Sequence, residues 1–258
     1  MARHRILEEA TRVEEGAEVV IVGDEAQHAA RVKRLGRGDA IEILDGRGGI
    51  GTATIEDVGR TSTGGRQSEW ILRARVEGVV RVAQARPRVE VLSAAPKGSR
   101  LAEMIEGLSQ VGCALWRPLL CERTVVEPRE GKMERLDRVA RESAKQCGRA
   151  WIMQIGEPVE LRGVVRELGE MGEEDQGRVL VADGDGVPLW RLASGDDARA
   201  STPHDVVRLL VGPEGGFSER EVSMMHEVGI ERVSLGAHIM RIETAAVVGA
   251  AMLGALFE

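Results

Sequence analysis

The chain has 258 residues, 43% of them hydrophobic and 30% charged; at roughly 100 to 200 residues per domain it fills one large domain or two modest ones, and the balance excludes wholesale disorder and a fibrous chain. A net charge of −7 argues on average against a polyanionic partner, yet residues 1–86, 87–150 and 151–258 carry 0, +3 and −10, so a basic middle segment can face a polyanion while the acidic last third serves another role. Four Trp, two Phe and no Tyr disfavour recognition through rows of stacked bases.

The longest apolar run, residues 245–257, falls short of the roughly 20 residues that span a bilayer. Acids at Glu8 and Glu9 stand where a secretory signal would carry its apolar core. Cys113, Cys121 and Cys147 show no CxxC spacing and no accompanying histidine cluster. The expectation is a soluble cytoplasmic protein with no disulfide framework, no membrane segment and no metal.

The first 80 or so residues read as a small β-barrel. Short alternating or β-branched runs at 18–22, 40–44, 50–55 and 70–76 are separated by glycine-rich turns. A helix is expected over 24–35, capped by Asp24. Gly46-Arg47-Gly48-Gly49-Ile50-Gly51 matches GxGxxG, the sole basis for a nucleotide-dependent oxidoreductase. The alternating Thr52-Ala53-Thr54-Ile55 directly after it is no helix, so a hairpin turn is the better reading. Arg86-Pro87 marks a boundary.

Beyond it, strand and helix alternate, as in a mainly parallel α/β sheet. Strands are expected over 89–94, 115–120, 179–182, 206–211 and 232–235, and helices over 99–111, 132–147, 219–228 and 244–256, with an acid-rich loop at 167–175. At the start of the helix expected over 219–228, Ser218 and Glu221 have the spacing of a capping box. The last helix is apolar nearly all round and rich in small residues, as buried helices are.

Two strand-loop-helix crossings carry the chemistry. After a buried strand ending in Val211, Gly212-Pro213-Glu214-Gly215-Gly216-Phe217-Ser218 lacks the Lys and Ser/Thr of a P-loop. Its glycines let backbone approach a nucleoside, though a tight turn is an equal reading. One unit later comes Leu235-Gly236-Ala237-His238-Ile239-Met240-Arg241-Ile242-Glu243-Thr244-Ala245, expected to sit beside the first at the sheet's C-terminal edge, where open α/β sheets bind ligands.

These two motifs resemble those of SPOUT methyltransferases that methylate N3 of a uridine in 16S ribosomal RNA, whose pattern is GPEGG followed by LGxxILRxETA; this chain carries all of the first and most of the second. Residues 28–35, Leu44-Asp45-Gly46, Lys97, 118–123 and 142–149 carry the resemblance over nearly the whole chain. His238, Met240 and Ile242 stand where the family usually has Arg, Leu and Thr, and Gly107 and Gln110 where it has Lys and Glu. The resemblance implies a trefoil-knotted, mainly parallel α/β sheet over 84–258, a PUA-like barrel over 1–83, S-adenosylmethionine as cofactor and a homodimer with sites at the interface. The cofactor would be held by Val211, Gly212, Pro213, Gly215, Gly216, Leu235, Gly236, His238, Ile239, Met240 and Ala245.

Methylation at N3 requires the base to lose a proton. Arg241 is expected to stabilise the resulting charge on the uracil oxygens, and Glu214, Glu243 and His238 are open as proton acceptors. Lys132, Arg135, Arg138, Arg141, Lys145 and Arg149 form a helical stripe that reads either as an RNA phosphate contact or as a solvated face. Lys97, Arg100 and Arg123 favour RNA, that is 16S ribosomal RNA or the small subunit; from the barrel, His28 beside Arg31 and Arg34 reads either as an RNA contact or as a satisfied structural histidine. A non-catalytic RNA-binding or assembly factor, or a methyltransferase with another RNA target, stays open as an alternative.

Overall fold

The computed structural model describes residues 4–61, 69–170, 177–193 and 205–257. They form two compact units, one of Met1–Gln84 with Ala144–Ile152, the other of Ala85–Ser143 with Met153–Glu258.

The first unit contains β1 (His4–Leu7), β2 (Glu18–Val22), α1 (Asp24–Gln27), β3 (Ala40–Leu44), β4 (Gly49–Thr61) and β5 (Glu69–Arg81) in one sheet of order β1-β3-β4-β5-β2. Alternation drives it: in β2, Val19 and Ile21 are buried while Glu18, Val20 and Val22 are exposed. Their inward residues join Ile6, Ile41, Ile43, Ala53, Ile55, Leu72 and Ala74 in one core. The glycine-rich run after β3 is a hairpin turn. Asp45 Oδ1 accepts the N–H groups of Arg47 and Gly49 at 2.8 and 2.7 Å, and Oδ2 meets Arg81 at 2.9 Å. Burial opposes ionisation of Asp45, but these donors together hold its pKa below the usual carboxylate value.

Two expectations need correction here. Asp24 does not cap its helix: Gly23, at φ 71°, is the N-cap, and its left-handed backbone turns β2 straight into α1. Nor does one α-helix run to Leu35. After Gln27 the chain continues as a π-helical turn, His28–Val32, and Arg34 at φ 57° ends it. Residues 144–152 also belong to this unit, where Gly48 donates its N–H to Ala150 O at 2.9 Å and Trp151 Nε1 donates to Val82 O at 2.9 Å.

The second unit comprises β6 (Arg88–Ser93), α2 (Arg100–Gln110), β7 (Leu115–Leu120), α3 (Glu130–Cys147, whose last turn enters the first unit), β8 (Gln154–Ile155), β9 (Val159–Glu160), α4 (Leu161–Glu170), β10 (Arg178–Pro188), a 3-10 turn (Leu189–Ala193), β11 (Val206–Val211), α5 (Glu219–Glu227), β12 (Glu231–Ser234) and α6 (Ile242–Phe257). Among the described residues every strand pair of this unit is parallel, in the order β12-β10-β11-β6-β7-β8 with β9 on β7. One face carries α2, α6 and the Leu136 and Ala140 side of α3. The other buries Val164 and Leu168 of α4 and Met225 of α5 against Leu92, Leu119 and Leu210. This is the three-layer arrangement that strand-helix alternation implies. The acid-rich segment expected as a loop from 167 is helical to Glu170, and 171–176 lie outside the described residues.

Small residues let α6 approach the sheet: a Cβ on Gly249 would collide with Leu209. Among the described residues no helix is long and apolar enough to cross a membrane.

Candidate functional site

Because all strands of the second unit run parallel, the segments after β6, β10, β11 and β12 leave the same edge of the sheet. The two motif loops do not follow neighbouring strands, as the sequence suggests, because β10 lies between β11 and β12. Their bases nevertheless converge, with Val211, Leu235, Met240, Ile242 and Ala245 packing in one core cluster.

In the first loop, Gly216 N–H bonds Pro213 O at 2.8 Å, closing a turn, and Gly216 stands at φ 69°. A Cβ at Gly212 would lie 2.8 Å from the Phe217 ring, whereas one at Gly216 would meet no atom within 4 Å. The backbone at Gly216 is thus open to a ligand. Pro213 is buried, Gly212 is half-buried, and Glu214 and Gly215 are exposed. The capping box forms: Ser218 Oγ accepts Glu221 N–H, and Glu221 Oε2 accepts Ser218 N–H at 2.8 Å. Glu221 Oε1 accepts Glu122 N–H at 2.8 Å. Burial, helped by this carboxylate, pushes the neighbouring Cys121 thiol up to about 12, so it stays neutral.

In the second loop, Gly236, His238, Ile239 and Arg241 are exposed, and Ile239 is 99% exposed. Met240 instead turns inward, its Cε 3.3 Å from the position of a Cβ on Gly236. Glu243 is bound by Arg100, Nη1 to Oε1 at 3.3 Å, and its Oε2 is buried without a partner. Arg241 makes no side-chain hydrogen bond or ion pair among the described residues.

Sequence reading overlooked the segment between the two loops. After Ala182 the register of β10 on β12 jumps to Val187, so Asp183-Gly184-Asp185-Gly186 bulges out at this edge. Asp183 accepts Arg232 Nε at 2.9 Å and Asp185 N–H at 2.9 Å. Arg232 keeps Asp183 ionised below the usual range against the opposing effect of burial. A Cβ on Gly186 would stand 2.5 Å from Val233 N, so only glycine passes here. The Asp-Gly-Asp-Gly run was the available signal.

The RNA methyltransferase domain family matches residues 84–254, and the RNA methyltransferase PUA domain family matches 21–62. Ribosomal RNA small subunit methyltransferase E of Synechocystis is 30% identical over 94% of this chain and 74% of its own length; that of Mycobacterium bovis is 32% identical over 93% and 87%. This chain belongs to the ribosomal RNA small subunit methyltransferase E family. A Legionella pneumophila structure, described as a methyltransferase in complex with the bound cofactor SAM (S-adenosylmethionine), superposes with a TM-score of 0.78 over 99% of this chain and 98% of its own, at 26% identity.

Within this methyltransferase E fold the basic candidates divide. His28, Arg31, Arg34, Lys97, Arg123 and Arg138 are exposed. His28 stacks on His4 with centroids 5.8 Å apart; burial first, then His28 and the nearby lysines, lower the pKa of His4. Other members are engaged. Arg100 holds Glu243, Arg141 holds Asp137 at 2.7 Å, Lys145 pairs with Glu25, and half-buried Arg149 falls in the first unit. Arg123 donates to the carbonyls of Gly215 and Phe217. Trp116 is core, its Nε1 donating to Ser93 Oγ at 2.9 Å, whereas Trp190 is 58% exposed with Arg191 over its ring.

Proposed function

We propose that this chain is an S-adenosylmethionine-dependent methyltransferase of small-subunit ribosomal RNA, and that it acts on N3 of a uridine. The observation that carries the reading is the open, glycine-lined edge after β11, on a chain that matches methyltransferase E relatives nearly end to end. The cofactor fits that edge. Gly216 leaves its backbone clear, Glu214, Gly215 and 236–239 are accessible, and Val211, Leu235 and Met240 form an apolar floor.

When bound, S-adenosylmethionine supplies a methyl group already activated on sulfonium. The chain's residues then bind, orient and deprotonate. Arg241, exposed and without a side-chain partner among the described residues, presents its fork to the uracil oxygens as N3 loses its proton. Glu243 is committed to Arg100, so Glu214 and His238, both exposed, are better placed to accept that proton. A second copy of the chain would cover Ile239 and the shallow groove of about 280 Å³ lined by Glu103, Met104, Gly107, Glu243 and Val247, in keeping with a homodimer. The chain in the second unit is taken to be trefoil-knotted, as in the family it resembles.

Labelled methyl transfer to small ribosomal subunits, followed by mass spectrometry of the digested RNA, tests the reading. Label in 3-methyluridine supports it. Label in another nucleoside removes the N3 assignment, and no label removes the enzyme.

A further inference from the structure

We propose that Arg123 is a positioning residue for the cofactor loop, holding residues 212–218 in their ligand-ready shape from across the sheet edge. The inference rests on the reading of that loop as the S-adenosylmethionine site. In sequence, Arg123 belongs with the basic residues expected to face RNA. In the structure its Nη1 donates to Gly215 O at 2.7 Å and Phe217 O at 3.4 Å. Its stem lies over the loop, with Cδ 3.4 Å and Cβ 3.7 Å from the position of a Cβ on Gly215.

The bracing side chain is itself well anchored. Arg123 follows β7, and β6 separates β7 from β11, so the contact spans a strand. The turn that presents it is closed twice: Thr124 N–H bonds Cys121 O at 3.0 Å, and Cys121 N–H bonds Thr124 Oγ1 at 2.7 Å. Glu221 then ties this turn to the loop's far end, accepting Glu122 N–H through one oxygen and Ser218 N–H through the other, each at 2.8 Å. Cys121, Phe217 and Val222 also pack against the same core cluster. Arg123 and Glu221 therefore hold the loop together, one through the carbonyls of Gly215 and Phe217 and the other through the N–H of Ser218.

The need for a clamp comes from the loop's composition. Gly212, Gly215 and Gly216 lie within five residues, and glycine loses more conformational freedom on ordering than any other residue. A loop left unbraced would have to be ordered by the ligand, at the expense of affinity. Both carbonyls meet one nitrogen, Nη1, whose N–H groups are fixed in the guanidinium plane, whereas a lysine side chain ends in a freely rotating ammonium on a flexible stem.

Purified wild type, R123A, R123K and R123Q are compared by calorimetric titration with S-adenosylhomocysteine, by steady-state KM and kcat, by RNA affinity at fixed salt and by Tm. R123A is expected to weaken the adenosyl ligand about tenfold or more and to raise the cofactor KM while kcat changes far less. R123K recovers part of the loss and R123Q less. RNA affinity and Tm stay at wild-type values. If R123A lowers Tm, the contrast between R123K and R123Q decides. Unchanged cofactor affinity in all variants overturns the inference, as does a loss confined to RNA affinity, which would make Arg123 a phosphate contact. Failure of the wild type to bind any adenosyl ligand refutes the functional reading itself, an outcome distinct from equal binding by wild type and variants.

Discussion

Replacing Arg241 by Lys keeps the charge and removes the planar fork. The structure separates the catalytic and structural consequences of that change. Glu243, the nearest acid in sequence, is bound to Arg100, and Arg241 itself has no side-chain partner among the described residues. Its carbonyl, which accepts Ala245 N–H at 2.8 Å to start α6, survives the substitution. Stability should therefore change by no more than about 0.5 kcal/mol. Loss of one oriented donor at a developing oxyanion costs about 3 to 4 kcal/mol, or roughly a hundred- to a thousandfold in turnover. Single-turnover methyl transfer, S-adenosylmethionine affinity and Tm measured on Arg241→Lys should show a large fall in the first and little change in the others. Undiminished transfer would refute the role. A joint fall in Tm and cofactor affinity would show Arg241 to be structural.

A Cβ at Gly107 of α2 would come within 2.9 Å of Val247 Cγ2 on α6, so in Gly107→Ala an overpacking cost of about 1–3 kcal/mol should outweigh about 1 kcal/mol of helix propensity. Adding Val247→Ala should relieve the crowding in a thermal melt, and a single variant as stable as wild type would contradict this close helix contact. Asp45 is 1% exposed and its pKa is depressed, so its stabilisation is full above the unfolded value of about 3.9 and disappears as pH falls through the lower folded value. Asp45→Asn should cost about 2 kcal/mol at pH 7, in a gap that closes in acid; a gap of constant size down to pH about 2 would count against the account. Arg135→Glu with Arg138→Glu, both exposed on α3, should weaken RNA binding and flatten its salt dependence while sparing cofactor affinity. Unaltered RNA binding would make the stripe a solvated helix face.

Much of the local structure is written in short-range pattern. The strands at 18–22, 40–44, 115–120 and 206–211 have the bounds their alternation or β-branching implies, and Ser218 with Glu221 forms its capping box. The GxGxxG match is a hairpin because its last glycines lead into β4 rather than a helix. What escaped the sequence depends on distant partners. β1 is four residues long and exists through parallel pairing with β3. The bulge at 183–186 is set by register on β12, and the place of β10 between β11 and β12 has no local signature. In the candidate site, the glycine-rich segments were legible as strand-to-helix turns. The partners of Arg100 and Arg123, 143 and 92 residues away, were not, since a basic residue looks the same in sequence whether it meets a phosphate, a carboxylate or a carbonyl.

The edge after β11 and β12 is expected to take an adenosyl ligand. Calorimetric titration of the wild-type chain with S-adenosylmethionine, with NAD as the control and Gly216→Val as the variant, tests it most directly. At φ 69° with open space before it, Gly216 should not tolerate a β-branched side chain, which would be strained there and would project toward the ligand. Saturable binding of S-adenosylmethionine by wild type, none of NAD, and loss of binding in a folded Gly216→Val are the expected results; a wild type that binds no S-adenosylmethionine, or a folded variant that binds it as well as wild type, would contradict the account.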